Sequence, residues 1–325
     1  MPILDCAEKH DRTAGPCHRW GVILAGGDGT RLRSLTRRIS GDDRPKQFCR
    51  VVGNETLLHQ TQCRLSATIP TLQTLVVLTR AHECFYIDQL NDLASSSLLI
   101  QPDNRGTAPA ILYSLTSVQH LDPRALVGFF PSDHYFCNEP ALHAYVDAAF
   151  SEIESHAGTV ILVGISPETP EVGYGWIQPG APFATARTKS IFHVDRFWEK
   201  PSLSQACSLM SLGCLWNSFI MVGQVQAFLN LIGRVLPMLF QAFQTLHSGV
   251  GAADGGPLDR LYAGIPTVNF SRQVLAACPG GLAVLRADGL GWSDLGEPGR
   301  VLSVLARKGA QSEWRLAAAA GEQCG

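Results

Sequence analysis

The sequence predicts an α/β protein with a mixed, mostly parallel sheet covered by helices on both faces. Short apolar runs alternate with segments whose apolar residues recur at helical spacing. Strand, helix and strand in repetition is the pattern in which crossover helices join parallel strands. Several runs are apolar at every position, which is typical of strands buried on both faces. In such a sheet, ligands bind beyond the carboxyl ends of the strands.

The elements of the first half follow in a regular order. Strands are predicted at residues 22–25, 75–78, 98–101, 126–130 and 160–165. Helices are predicted at residues 57–65, 83–93, 107–120 and 141–156. The helix at 107–120 carries its apolar residues at helical spacing, with Ile111, Leu115 and Val118 on one face.

The second half has a less regular pattern. One strand is predicted to end at Glu199 and another to run over 216–222, with a helix at 203–212 between them. Two further helices are predicted at 224–235 and 237–247. Neither a sequence repeat nor a second domain is indicated, so residues 20–308 are expected to form a single domain. Residues 1–19 and 309–325 are interpreted as a polar N-terminal tail and a C-terminal tail.

Composition narrows the function classes. Of the 325 residues, 46% are hydrophobic and 17% are charged, as in ordinary soluble globular proteins. The formal net charge of -2 provides no basic field, so nucleic acid is not expected as a partner. No apolar run approaches a membrane span, and the N-terminus lacks the apolar centre of a signal peptide. No membrane partner is therefore expected.

The ten cysteines show neither a CxxC pair nor a cluster with histidine at zinc spacing. Several lie within apolar stretches, where a free cysteine behaves as a small hydrophobic residue. We therefore expect reduced thiols, and hence a cytoplasmic protein.

Residues 20–47, WGVILAGGDGTRLRSLTRRISGDDRPKQ, join an apolar run to a glycine-rich loop and a basic tract. A dinucleotide fingerprint would need a glycine at Leu32, and a Walker loop would need a Gly-Lys-Ser/Thr sequence that is absent. What remains is a turn whose backbone N–H groups can surround phosphates. Arg31 would add a planar donor and Lys46 a mobile charge. A tight turn followed by a solvated basic segment is the alternative.

The pattern LAGGxGTRL followed by PKQF resembles the sugar-phosphate nucleotidyltransferases, and among them the mannose-1-phosphate guanylyltransferases. The resemblance continues, in the family's order, over roughly residues 20–300. It includes QPDNRGTAPAI, FPSDH, VGYGWI, WEKP, LWNSF and GWSDLG. It implies a Rossmann-like nucleotide-diphospho-sugar transferase fold, with a nucleotide half at about 20–165 and a sugar-phosphate half at about 166–308.

The family reaction joins a nucleoside triphosphate to a sugar 1-phosphate, with in-line attack on the α-phosphorus and release of pyrophosphate. The resemblance implies GTP and α-D-mannose 1-phosphate as substrates, GDP-mannose as product and Mg²⁺ as cofactor. It assigns catalysis to Arg31, Lys46, Asp133 and Asp294, with Asp133 and Asp294 as metal ligands. Two carboxylates with phosphate oxygens and waters suit Mg²⁺. Taken singly, Asp133 could be a turn residue and Asp294 a helix N-cap.

Two groups of binding residues follow from the same motifs. The nucleotide is expected to contact Leu24, Ala25, Gly26, Gly27, Gly29, Thr30, Arg31, Gln101, Gly106 and Thr107. A glutamine amide can donate to and accept from a base edge, and a glycine lets the base approach the backbone. The sugar phosphate is expected to contact Gly175, Glu199, Lys200 and Asn217. A surface Glu-Lys pair and an asparagine bonded to local backbone are the alternatives for the last three.

The sequence departs from the family pattern at three places. Ser34 replaces a usual proline, Ser40–Asp43 lengthens the segment before Lys46, and Phe219 stands where the guanylyltransferases usually have glycine. A phenyl ring there would reshape the sugar pocket. UTP or dTTP with glucose 1-phosphate, and a non-catalytic nucleotide-sugar-binding regulator, therefore stay as alternatives. A homodimer is left open, and the chain length leads us to expect no isomerase domain.

Overall fold

The computed structural model describes residues 18–183, 190–248 and 256–308, and a sheet of nine strands forms the centre of this described part. The strand order is β3-β2-β1-β4-β8-β5-β9-β7-β6. The strands are β1 (Arg19–Leu24), β2 (Thr74–Thr79), β3 (Leu98–Gln101), β4 (Leu126–Pro131), β5 (Val160–Ile165), β6 (Gly175–Pro182), β7 (Ile191–Glu199), β8 (Leu215–Gln224) and β9 (Leu282–Ala287).

Helices connect the strands and cover the sheet. They are α1 (Arg33–Ser40), α2 (Leu57–Ser66), α3 (Glu83–Tyr86), α4 (Thr107–Leu121), α5 (Glu139–Ser155), α6 (Leu203–Ser211), α7 (Val225–Val235), α8 (Pro237–Gln244), α9 (Pro257–Gly264) and α10 (Pro298–Arg307). Among the described residues, no helix has both the length and the apolar character needed to cross a bilayer.

The prediction of a mixed sheet with helices on both faces is confirmed. Neighbouring residues of one strand enter different cores: Val22 packs into the cluster under α4 and α7, whereas Ile23 packs into the cluster under α2 and α5. Parallel pairing joins β1 to β2 and β4, β2 to β3, and β5 to β9. The other pairings are antiparallel, so the parallel character belongs mainly to the first half of the chain.

The last five strands, β5 to β9, close into a ring. β8 pairs with β5 and, through Leu215 and Trp216, with β6, while β7 joins β6 to β9 and β9 joins β5. The β5–β8 register shifts between Leu162 and Gly164, opposite residues 217–221. The shift matters for function because an irregularity of this kind re-aims the side chains of the bulged strand.

A third, smaller apolar cluster holds the C-terminal helix against the front of the sheet. Val301 and Leu305 of α10 pack with Leu32 from the glycine-rich segment and with Leu57 at the start of α2. Leu295 belongs to the same cluster and is fully buried. The first and last motifs of the sequence are therefore packed together.

The predicted elements of the first half are observed, with one substantial difference. The helix predicted at 83–93 ends at Tyr86, and turns follow it. Asp88, Asn91 and Asp92 in those turns are residue types that compete for backbone hydrogen bonds and disfavour a continuous helix. The sequence did not lead us to predict five of the observed elements, which are α1, β6, α9, β9 and α10. The predicted tails lie outside the described residues apart from His18 and Arg19, and Arg19 begins β1.

The cysteines in the described part of the chain are free thiols. Burial raises the pKa of the Cys49 and Cys214 thiols to about 11, so both stay protonated at neutral pH. A protonated, buried thiol is a poor nucleophile and acts as a small apolar side chain.

Candidate functional site

A cavity of about 460 Å³ opens at the carboxyl ends of β1, β3 and β4 and continues toward β6, β7 and β8. Its volume is in the range of small-molecule sites. Both groups of predicted binding residues meet in its walls. The predicted residues that line it are Leu24, Gly26, Gly27, Arg31, Gln101, Gly106, Thr107, Asp133, Gly175, Glu199, Lys200, Asn217 and Asp294.

Four predicted residues are not part of the cavity lining. Ala25 is fully buried, and Thr30 is exposed to solvent at the start of a 3₁₀ turn. Gly29 has a φ of 60°, and a Cβ atom there would lie 3.3 Å from the Cα of Pro45. Lys46 lies behind the cavity wall and reaches it through Asp133. Ala25 and Gly29 therefore shape the loop from inside rather than facing a ligand.

The glycine-rich loop and the Pro-Lys-Gln segment form one structural unit. Gln47 is 2% exposed, and its amide nitrogen donates to the carbonyls of Ala25 at 2.9 Å and Gly27 at 2.8 Å. Gly29 has no side chain, which lets Pro45 and Lys46 pass next to it. The role of Gln47 was missed by the sequence reasoning, although its place after Pro-Lys was the available signal. The segment thus fixes the backbone that a phosphate would contact.

Replacing Gln47 with leucine is expected to lower the free energy of unfolding by about 2 kcal/mol, since two buried hydrogen bonds are lost. It should also weaken nucleotide binding several-fold, because the loop is no longer held. Chemical denaturation and calorimetric titration measure the two effects. Gln60→Leu is the matched control, because the Gln60 amide also donates to two carbonyls, those of Val52 and Glu55, outside the cavity. Equal loss of nucleotide affinity in both variants would contradict the assignment.

Lys46 connects the end of β4 to the loop before α10. Its side chain is 10% exposed, and its ammonium lies 3.2 Å from Asp133 Oδ2. The same ammonium donates to the backbone carbonyls of Asp294 and, at 3.1 Å, of Leu295. A buried cation is stable only when it is paired in this way. The contacts hold one positive charge between the two predicted metal-binding aspartates.

Asp294 is held by groups that the sequence reasoning did not identify. Its Oδ1 accepts from the Gly296 N–H at 2.8 Å and lies 2.9 Å from Arg300 Nε. Arg300 also approaches Glu171 at 3.1 Å and lies 4.7 Å above the Tyr174 ring. The Nε–H itself makes no hydrogen bond, so its approach to Oδ1 is an ion-pair contact, whereas Nη2 donates to Asp294 Oδ2 at 3.4 Å. Arg300 therefore fixes the position of this carboxylate.

The donor set fits a hydrated cation that also binds phosphates. Asp133 and Asp294 supply carboxylate oxygens to the same cavity. The described residues hold no cluster of three or more acidic, histidine or cysteine side chains arranged for a metal. Mg²⁺ is usually held by one or two carboxylates together with substrate phosphates and waters. The two aspartates fit that requirement, with the remaining ligands supplied by substrate and solvent.

His134 lies in the cavity wall, although the sequence reasoning gave it no role. Trp292 Nε1 donates to its Nδ1 at 3.2 Å, and its Nε2 lies 3.8 Å from Asp133 Oδ1. Burial lowers the pKa of His134 to about 4, so the ring is neutral at pH 7. Since Nδ1 accepts, the proton of the neutral ring lies on Nε2, on the Asp133 side.

The wall near the predicted base site is built on the backbone of residues 268–270. Gly106 has a φ of 83°, and a Cβ there would lie 2.5 Å from the carbonyl oxygen of Val268. The Thr107 hydroxyl accepts from the Phe270 N–H at 2.8 Å. From the sequence we expected Gly106 to let the base approach the backbone. In the structure, Gly106 is required by Val268 whether or not a base binds.

The predicted sugar-phosphate residues surround Gly175. A Cβ atom at Gly175 would lie 3.2 Å from Glu199 Oε2 and 3.4 Å from Asn217 Cβ. Burial raises the pKa of Glu199, and the charges of Lys200 and Arg272 oppose that rise. The small residue therefore leaves a polar recess with one carboxylate and one amide.

Three non-glycine residues in the described chain have positive φ angles: Lys200 at 51°, Phe219 at 62° and Leu295 at 46°. Lys200 and Phe219 line the cavity, and the Leu295 carbonyl accepts from Lys46. Such strained residues cost about 1–3 kcal/mol each and concentrate at functional sites. This clustering is evidence for the site that is independent of the motifs.

Phe219 is aimed at the cavity by a bulge in β8. Its N–H donates to the Asn217 side-chain oxygen at 3.1 Å. The Ser218 hydroxyl accepts from the Ile220 N–H at 3.2 Å and donates to the carbonyl of Val163 at 2.6 Å. These bonds stabilise the irregular backbone. The hydrogen bond from the Phe219 N–H occupies the Asn217 side-chain oxygen, so the Asn217 amide nitrogen is the group left for a ligand.

Phe219→Gly is expected to be more stable than Phe219→Ala by about 1 kcal/mol, because only glycine adopts this φ without steric cost. Both variants remove the ring, so the difference isolates the backbone strain. Urea denaturation of the two variants side by side measures it. An alanine variant as stable as the glycine variant would mean that the bulge relaxes in solution.

The acidic residues of the Ser40–Asp43 segment pair with local arginines. Asp43 accepts from Arg37 Nε at 2.8 Å, and Asp42 accepts from Arg44 Nε at 2.8 Å. The arginine hydrogen bonds lower the pKa of both carboxyl groups. Both carboxylates are thus engaged by arginines of their own segment, and neither lines the cavity.

Comparisons with known proteins agree with this architecture. The family model described as nucleotidyl transferase matches residues 20–307. Mannose-1-phosphate guanylyltransferase of Escherichia coli is 32% identical over 287 residues, covering 85% of this chain and 57% of the relative. Xanthan biosynthesis protein XanB of Xanthomonas campestris pv. campestris (strain B100) is 32% identical over 293 residues, covering 89% of this chain and 60% of the relative.

A solved structure adds a likeness in three dimensions. The Thermus thermophilus protein described as mannose-1-phosphate geranyltransferase has a TM-score of 0.74 and 26% identity, covering 86% of this chain and 77% of that one. The chain spans somewhat under two thirds of the length of the two curated relatives. The family match covers most of the chain. The chain belongs to the nucleotidyl transferase family.

Proposed function

We propose that the protein is a Mg²⁺-dependent mannose-1-phosphate guanylyltransferase that makes GDP-mannose and pyrophosphate from GTP and α-D-mannose 1-phosphate. The observation that carries the proposal is the junction of Lys46, Asp133 and Asp294 between two halves of one cavity. Gln101 and the glycine loop follow β3 and β1, on one side of β4 in the sheet, and Glu199 ends β7 on the other side. The similarity to relatives named mannose-1-phosphate guanylyltransferase supports the choice of substrates.

The reaction requires two anions to be held in line. An oxygen of the sugar phosphate attacks the α-phosphorus of GTP and forms the new phosphorus–oxygen bond. The bond from the α-phosphorus to the α–β bridging oxygen breaks, and pyrophosphate leaves with that electron pair. No protein nucleophile is needed, so positioning and charge stabilisation account for the catalysis.

The roles of this chain's residues follow from their positions. Arg31 lines the cavity, where its guanidinium can neutralise the triphosphate and the leaving pyrophosphate. Lys46 offers its ammonium next to Asp133, where charge develops at the reacting phosphates. Asp133 and Asp294 would hold Mg²⁺, which supplies Lewis-acid neutralisation of phosphate oxygens when bound.

Glu199, Lys200 and Asn217 are proposed to hold the sugar phosphate. Glu199 can accept from sugar hydroxyls, and burial of the ligand would shield those bonds from water. Lys200 is exposed at the cavity rim, where its cation can meet the sugar's phosphate. The Asn217 amide nitrogen can donate to a hydroxyl, since its oxygen is already bonded to the Phe219 N–H.

A second candidate keeps the chemistry and changes the substrates, for example to UTP or dTTP with glucose 1-phosphate. The observation that favours it is Phe219, which fills part of the sugar side of the cavity.

The cytoplasmic location of the protein and its assembly into a homodimer stay predictions.

Pyrophosphate release measured over a grid of nucleoside triphosphates and sugar 1-phosphates, with Mg²⁺, tests both candidates. The expected result is release with GTP and mannose 1-phosphate well above every other pair. Release with a different pair would favour the second candidate. Folded protein that binds nucleotide yet releases no pyrophosphate with any pair would contradict both.

A further inference from the structure

The cavity contains a glutamine whose amide orientation is fixed from outside the site. Gln101, at the end of β3, is 2% exposed and lines the cavity. Its Oε1 accepts a hydrogen bond of 3.0 Å from the hydroxyl of Tyr262, which comes from α9 and is 161 residues away. Tyr262 is 1% exposed and packs edge-on against Phe243.

A second contact excludes the opposite orientation of the amide. Gln101 Nε2 lies 3.4 Å from the carbonyl oxygen of Leu78, which can only accept. Turning the amide over would bring two oxygens together at that point. Burial also raises the pKa of Tyr262, so its hydroxyl stays protonated and can donate. The tyrosine and the carbonyl together select one amide orientation.

The amide nitrogen lies on the glycine-loop side of the cavity. A Cβ atom built on Gly26 would lie 2.7 Å from Gln101 Nε2, so the missing side chain leaves this nitrogen room. An amide nitrogen carries two N–H groups, and the long contact with Leu78 uses one at most. Within the described residues, the other N–H remains for a ligand.

We propose that Tyr262 is a positioning residue for base selection: it commits Gln101 to present an N–H to the base. A cavity with this donor accepts a carbonyl oxygen, such as O6 of guanine, and disfavours the amino group at the same place in adenine. The inference rests on the proposed function, because it takes the cavity to bind a nucleotide. It adds to that function a physical origin for base preference.

The test is a binding ratio that needs no turnover. Affinities for GTP, ITP and ATP are measured by calorimetric titration for the wild type, for Tyr262→Phe and for Tyr86→Phe. Tyr86 is the matched control, because it is 3% exposed, lies outside the cavity lining, and its hydroxyl has no hydrogen-bond partner in the described part of the chain.

Wild type should prefer GTP over ATP by about 10- to 100-fold, as expected when a buried donor meets the wrong group. Tyr262→Phe should reduce that ratio by about 5- to 10-fold, since the amide is then less constrained. ITP keeps the carbonyl oxygen and lacks the 2-amino group, so it should follow GTP. Tyr86→Phe should leave all ratios unchanged.

Two results would overturn the inference. One is an unchanged GTP-to-ATP ratio in Tyr262→Phe, and the other is an equal weakening of all three nucleotides, which a merely structural tyrosine would produce. If Tyr262→Phe does not fold, Gln101→Met provides the same readout, because methionine has no N–H and should abolish the preference. Wild-type protein that prefers GTP but releases no pyrophosphate would contradict the proposed reaction and leave this inference standing.

Discussion

Lys46→Met is expected to lower the kcat/KM of pyrophosphate release by about 100- to 1,000-fold, the cost of removing one preorganised charge from a reacting centre. Methionine keeps an unbranched apolar side chain and removes only the ammonium. In the structure that ammonium lies 3.2 Å from Asp133 and donates to the carbonyls of Asp294 and Leu295. The substitution therefore removes a group that touches both ends of the proposed metal site.

The same substitution also has a structural cost. Two backbone carbonyls lose a donor and Asp133 loses its cation, so the free energy of unfolding should fall by about 1–3 kcal/mol. Denaturation and nucleotide titration separate this effect from catalysis, because a folded variant that still binds GTP isolates the chemical step. Lys308→Met is the matched control: Lys308 lies 5.8 Å from the Tyr135 ring and does not line the cavity. Wild-type turnover in Lys46→Met would contradict the catalytic assignment.

The cavity residues whose convergence the sequence predicted best are those attached to strand ends. Asp133 follows β4 and Gln101 ends β3, and the carboxyl ends of parallel strands lie at one edge of a sheet. Their convergence therefore follows from the strand pattern alone. Glu199 and Asn217 belong to antiparallel strands, whose convergence depends on the ring closed by β6 and β8. For them the family resemblance, rather than periodicity, was the usable signal.

The residues that the sequence did not reveal act through distant contacts. Arg300 lies on α10, whose short apolar pattern was not recognised, and its partner Glu171 is far away in the sequence. Tyr262 lies on the eight-residue helix α9 and is 161 residues away in the sequence from Gln101, its hydrogen-bond partner. Local propensity carries no information about such pairs, since tertiary packing decides them.

Asp133→Asn is expected to reduce kcat/KM at least about 100-fold and to abolish the strengthening of nucleotide binding by Mg²⁺. Asparagine keeps the shape of the side chain and removes its charge, so a cation loses a carboxylate ligand that it prefers over an amide. Lys46 keeps its two carbonyl partners, and the fold should survive. Asp294→Asn should have the same direction of effect, while Arg300 keeps its contact with Glu171.

Nucleotide titrations with and without Mg²⁺ measure the metal's contribution separately from turnover. Asp147→Asn is the matched control, because Asp147 is also paired with a cation, Arg19 at 2.8 Å, and lies on α5 outside the cavity lining. It should keep the full dependence on Mg²⁺. If Asp133→Asn lost activity but bound nucleotide with an unchanged dependence on Mg²⁺, the carboxylate would serve Lys46 rather than the metal. If both aspartate variants kept that dependence, the metal would have to be held by the substrate phosphates and by residues other than this pair.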